Sequence, residues 1–239
     1  MLQLTILMTI STLLLSLLQT SVATAEAGKT QYTLTLEPTF AHYNFKSYKN
    51  TIGTFAMPDL TADGNLHGMS AAYVRQGKER TYLRIAGQAM GGNVSGYNQT
   101  TRKLETKAIL TWAGEVNLGY TFVGDRSNLA FTPYLGAGYR TTDYYPQFGI
   151  STPYTALGSR LDWLISPVWR TGIDLAGRLP IPGVKSSVPM KMGFEVTIPV
   201  AYRLTKSFSL TAAINTERLY YSTMRTESTG LRLGMQYHF

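Results

Sequence analysis

Few residue types in this chain could do chemistry, so their spacing can be weighed one by one. His42, His67 and Ser70 are the candidates for catalysis. An imidazole beside a hydroxyl can act as a general base toward a nucleophile, provided a third group orients the base. His42 and His67 flank segment 46–64, and one hairpin could bring them together, with Ser70 a short step beyond His67. No carboxylate at a recognisable spacing completes the set, and polar rim histidines are the alternative reading. The same lack argues against a metal, because two His alone do not supply a ligand set. The chain has no Cys, which removes disulfides and thiolate ligands. Gly136 and Gly138 lie inside a strand pattern and open no helix, so they form no phosphate loop. No cofactor is expected.

A second chemistry is ion pairing. Arg84, Glu115, Arg140, Arg160, Asp162, Arg170, Asp174, Glu195, Arg203, Glu217 and Arg232 recur on the polar side of alternating segments. Gly136, Gly138, Gly172 and Gly193 share that side. Nearly all the basic members are Arg, whose planar fork can take a carboxylate bidentately. Such a set suits a narrow interior where opposite charges pair across the bore. The net charge is +8, yet no Lys/Arg run is present, so nucleic acid is not an expected partner.

The elements that would position these groups are strands. The last nine residues put Leu231, Leu233, Met235, Tyr237 and Phe239 on one face, and Arg232, Gly234, Gln236 and His238 on the other. Successive strand side chains point to opposite faces, so this is an amphipathic strand. The pattern repeats in 110–122, 129–140, 169–175, 192–204 and 208–214. Ten strands are expected: 31–45, 65–76, 80–91, 106–122, 127–140, 153–164, 167–178, 191–204, 207–220 and 229–239. Pro133 and Pro199 interrupt good strands and should loosen the pairing there, because each lacks a ladder donor.

Composition agrees. Of 239 residues 15% are charged, against roughly 25% in an ordinary soluble domain. There are 16 Tyr and 22 Gly, and mean hydropathy is close to zero. Strands with one greasy face account for that balance. Residues 1–25 differ: an apolar run ends in Ala23-Thr24-Ala25, the pattern of a signal peptide cleaved after Ala25. Residues 26–239 would then form one all-β domain.

Two observations put the greasy face outside. Short connections at 76–80, 123–126, 166–167 and 205–206 alternate with long ones at 46–64, 92–105, 141–152, 179–190 and 221–228. Aromatics gather at the short-turn ends: Tyr120, Phe122, Phe131, Trp163, Trp169, Tyr202, Phe208, Tyr237 and Phe239. Both are features of transmembrane barrels. The fold class expected is therefore a transmembrane antiparallel up-and-down β-barrel of ten strands, with eight or twelve as alternatives.

The terminal Leu-Arg-Leu-Gly-Met-Gln-Tyr-His-Phe, with Phe239 last and Tyr237 two before it, resembles the C-terminal strand of Gram-negative outer-membrane barrels. Pro133–Arg140 is similar to a recurrent strand of the small OmpA/OmpX-like barrel superfamily. The resemblance implies location in the bacterial outer membrane after export, with the barrel-insertion machinery as a partner of the last strand. It also implies contact with outer-membrane lipid and lipopolysaccharide, whose phosphates would meet basic residues of the long loops. Adhesion through those loops is the sharper alternative.

Ten strands lie near the width that side chains can fill. The function expected is structural or surface display, with a narrow or plugged lumen lined by Arg, Glu and Asp. A small-solute or anion porin is the first alternative. A lipid-modifying hydrolase using His42, His67 or Ser70 is the second, and no enzyme activity is expected.

Overall fold

The computed structural model describes residues 30–47, 60–77, 79–98, 103–123, 128–145, 148–184 and 188–239. The proposed leader, 1–25, lies outside the described residues. Eleven strands follow one another: β1 Gln31–Ser47, β2 Leu60–Gln76, β3 Thr81–Asn98, β4 Lys103–Tyr120, β5 Phe122–Val123, β6 Leu129–Tyr145, β7 Phe148–Leu164, β8 Trp169–Pro180, β9 Met190–Arg203, β10 Phe208–Tyr221 and β11 Met224–His238. Consecutive strands pair antiparallel except β4 with β5; β1 pairs with β11, and β4 pairs with β6. The sheet is thus a closed barrel of ten strands. β5 is the continuation of β4 beyond a break at Thr121, and it pairs with β6 in the same register.

Three prolines explain three gaps in the ladder. Pro133 lies opposite the break between β4 and β5. Beside Pro199, β8–β9 pairing stops at Thr171 and resumes at Asp174. Beside Pro38, β1–β11 pairing stops at Leu36 and resumes at Thr39. A residue without an N–H cannot serve a ladder on that side. A bulge at the other end of β9 has a different effect. Tyr220 faces Met192 but Tyr221 faces Met190, so Lys191 is the extra residue and Met190 turns inward.

Two of the short turns are built alike. Ser166 and Thr205 accept the backbone N–H of Trp169 and Phe208 on their hydroxyls, both at 3.1 Å. A side chain that mimics a backbone turn closes a hairpin without a glycine. Arg80 takes the one left-handed non-Gly position among the described residues, φ 65°, in the turn after β2.

Strand ends differ from expectation at the other rim. The segments 92–105, 141–152 and 221–228, expected as long loops, are mostly strand, leaving connections of 99–102, 146–147 and 222–223. Loop length therefore does not mark that rim. The physical reason is a reversal of polarity along the wall. Over the short-turn half, the outward residues are apolar and exposed, such as Leu118 at 63% and Ile214 at 56%. Beyond that band the outward positions turn polar: His42 contacts Asn65 at 3.2 Å, Ser95 contacts Thr106 at 2.8 Å, and Arg218 pairs with Glu227. The inward positions at that height become the apolar core, with Tyr43, Phe45, Leu66, Met90, Val94, Ile109, Tyr144, Ile150, Leu219, Tyr221 and Met224. Alternation never stops; it changes sign. A reading that follows only apolar-out residues ends each strand at the reversal.

Candidate functional site

The lumen holds the chemistry. The inward positions of β3, β4 and β6 to β11 carry every charge expected there, from Arg84 to Arg232. They form layers along the bore rather than one network.

The middle layer centres on Arg178 of β8. Its guanidinium donates to Glu115 Oε2 at 3.1 and 3.3 Å, and also to Glu195 and Glu217. Glu195 and Glu217 face each other directly across the β9–β10 rung. Like charges at such a rung repel, and Arg178 bridges them. Arg140 takes the other oxygen of Glu217. Arg84 stands 3.7 Å from Glu115, and Arg232 3.7 Å from Glu195. Asn117 donates to Glu115 at 2.7 Å, and Tyr154 donates to it at 3.0 Å while its ring lies 4.9 Å beneath the Arg178 guanidinium. Four arginines and three glutamates thus share one desolvated layer.

Two cross-strand pairs make room for this. Tyr154 is opposite Gly138, and Tyr134 is opposite Gly158. A Cβ on Gly138 would come 2.5 Å from the Tyr154 ring, and one on Gly158 would come 2.4 Å from the Tyr134 ring. The rings therefore lie flat against the β6–β7 wall. Their hydroxyls reach acids on other strands, Tyr154 to Glu115 and Tyr134 to Asp174 at 2.6 Å. That is what Gly138 and Gly158 are for.

Toward the short-turn mouth, Arg160 grips Asp162 with two bonds of 2.8 Å. Glu37 accepts from Thr211 at 2.9 Å. Arg170 and Arg203 point inward at the mouth and are exposed. His238 also points inward, with Nε2 2.9 Å from Ser209 Oγ. Above the Arg178 layer the apolar core closes the bore, and Val188 from segment 181–189 packs on it. Beneath that seal is a cavity of about 160 Å³, lined by residues from Thr35 to Gln236.

The catalytic candidates do not assemble. His42 and His67 face outward and are exposed, whereas Ser70 faces the lumen and is buried. His42 is opposite Asn65, and His67 is opposite Phe40. Ser70 bonds to Thr39 and Glu37 instead. Among the described residues no cluster of His, Asp and Glu could hold a metal.

The expected aromatic ring lies where the spacing put it. Trp169 and Tyr202 are 4.8 Å apart, Phe208 and Tyr237 4.8 Å, Tyr237 and Phe239 4.7 Å, and Tyr120 and Phe122 5.0 Å. Phe122 stacks on Phe131 at 6.4 Å, and Trp163 is half exposed beside them. Tyr32 and Tyr73, 6.3 Å apart, extend the ring to β1 and β2.

Sequence reasoning missed Arg178, Glu37 and the two tyrosines as network members. Parity could have found Arg178, which shares its face with Arg170 and Asp174; it stood at the last position of the expected strand.

No family model matches the chain, and no curated protein matches it in sequence. Solved structures do. The outer-membrane protease OmpT of Escherichia coli is similar at TM-score 0.52 and 8% identity, covering 92% of this chain and 99% of that one. OprG of Pseudomonas aeruginosa gives 0.47 and 9%, covering 88% and 96%. Ail of Yersinia pestis gives 0.39 and 13%, covering 88% and 99%. At these identities only fold is shared. The chain is a small closed β-barrel with the fold of the Gram-negative outer-membrane barrels.

Proposed function

We propose that the chain is an integral protein of the bacterial outer membrane with a structural or surface role and a lumen closed to through-flow. The observation that carries the reading is the apolar core seated across the bore, above a layer in which four arginines are tied to three glutamates. An open pore needs a continuous wet path, and a core packed like a protein interior has none. An anion porin is disfavoured for that reason.

The apolar outer band and the aromatic ring support insertion in a bilayer. Export behind a leader cleaved near Ala25 and delivery by the insertion machinery through β11 belong to the same reading. Lys46, Arg218 and Arg225 stand beyond the band on the outer face, at the height where lipopolysaccharide phosphates would sit. No hydrolytic role is proposed, because the wall separates Ser70 from both histidines.

Planar-bilayer recording tests the proposal. The folded chain should add no steps above the leak level. Regular steps of fixed size, with anion selectivity, would reinstate the porin reading and overturn this one.

A further inference from the structure

The layers of the lumen differ in how fully their arginines are engaged. In the middle layer each guanidinium has a carboxylate partner. At the mouth, Arg160 is committed to Asp162, and Asp174 is held by Tyr134. Arg170 and Arg203 have no ion pair among the described residues. Both point inward and both are exposed. Arg170 is opposite Ala201, so Arg203 is its diagonal neighbour on the same face. Arg203 is in turn opposite Ser209, whose hydroxyl contacts His238. Four adjacent strands, β8 to β11, thus present two guanidiniums without an ion pair, a hydroxyl and an imidazole to one opening.

Like charges at diagonal positions of one face repel, and an anion between them relieves the repulsion. Elsewhere in this lumen each arginine has a carboxylate at ion-pair distance; here the acid diagonal to Arg170, Asp162, is already gripped by Arg160 through both its oxygens. The cavity behind the mouth is about 160 Å³ and Arg170 lines it. One water needs roughly 10–15 Å³ on the same measure, so the space accommodates a small hydrated anion. The apolar seal makes it a dead end.

We propose that the short-turn mouth binds a free small oxyanion, a phosphate or a carboxylate, between Arg170 and Arg203. The planar forks match such oxygens, which a spherical halide does not offer. The site holds its ligand rather than passing it on. The dead end rests on the closed-lumen reading; a barrel that conducts and still binds phosphate would overturn that reading and leave this site standing.

The test uses the chain folded in nanodiscs of zwitterionic lipid. Inorganic phosphate is titrated at fixed ionic strength with chloride as the counter-anion. Saturable binding is expected, weakened at least about tenfold by Arg170→Gln with Arg203→Gln and unchanged by Arg75→Gln on the outer wall. Arg170→Lys with Arg203→Lys keeps the charge and loses the fork, and should bind with intermediate strength. A titration with succinate measures whether carboxylate competes. Linear shifts that chloride reproduces would mean screening only and would overturn the proposal. So would binding that appears only when phosphatidylglycerol is added to the disc, which would assign the arginines to a lipid headgroup. Neither arginine has an ion pair to lose, so the variants should fold, and heat-modifiable migration on a gel checks this.

Discussion

Arg178 draws acids from three other strands, β4, β9 and β10, onto one guanidinium. Its loss would strand Glu115, Glu195 and Glu217 without their bridge. Arg178→Met is therefore expected to destabilise the barrel by about 3–5 kcal/mol. The measurement is the temperature at which the folded gel band converts to the unfolded one. Arg178→Lys should fall between, because a compact ammonium keeps the charge but lacks the planar, spread donors that span the three carboxylates. Lumen polarity was legible from the alternation, since every charge placed on the polar face does point inward. Arg178 as a hub was not, because which guanidinium reaches which acid depends on the closure of the barrel. The separation of His67 from Ser70 was legible: an odd spacing within a strand puts two side chains on opposite faces.

Strand pairs carry their own tests. Pro199 leaves the β8–β9 ladder open between Thr171 and Asp174. Pro199→Val restores a donor and should close it, raising stability by about 0.5–1.5 kcal/mol. Hydrogen exchange at Gly172 and Ile173 should slow with it. Unchanged exchange would mean that another constraint holds the ladder apart. Gly138→Val acts in the opposite direction. The new side chain would lift Tyr154 off the wall, breaking its bond to Glu115 and its seat beneath Arg178. Heat-modified migration should shift to lower temperature, and pairing with Tyr154→Ala should relieve part of the loss. The prolines were readable as interruptions because proline's missing donor is a local property. The true strand ends were not. They lie beyond the point where the greasy face changes sides, and periodicity alone does not say which face meets lipid.

At the scale of the whole barrel, lipid sets a depth-dependent penalty. Arg in place of an outward residue at the middle of the band should cost about 2–4 kcal/mol, and at the rim about 0–1. Val196→Arg and Tyr202→Arg, both outward on β9, sample these two depths. Refolding into bilayers with a denaturant titration measures the difference. Equal costs would contradict a membrane band on this face. The seal gives a second expectation: cutting Tyr43, Leu66 and Tyr221 back to Ala should admit water and produce conductance steps absent from the parent chain.

The seal is built almost entirely from side chains of the wall itself, with Val188 the one contribution from a connecting segment among the described residues. Among the described residues, closure of the bore thus rests on the wall rather than on the outer connections. A barrel corked by its own staves can change the polar outer positions of its rim, such as Arg218 and Glu227, while the cork stays in place.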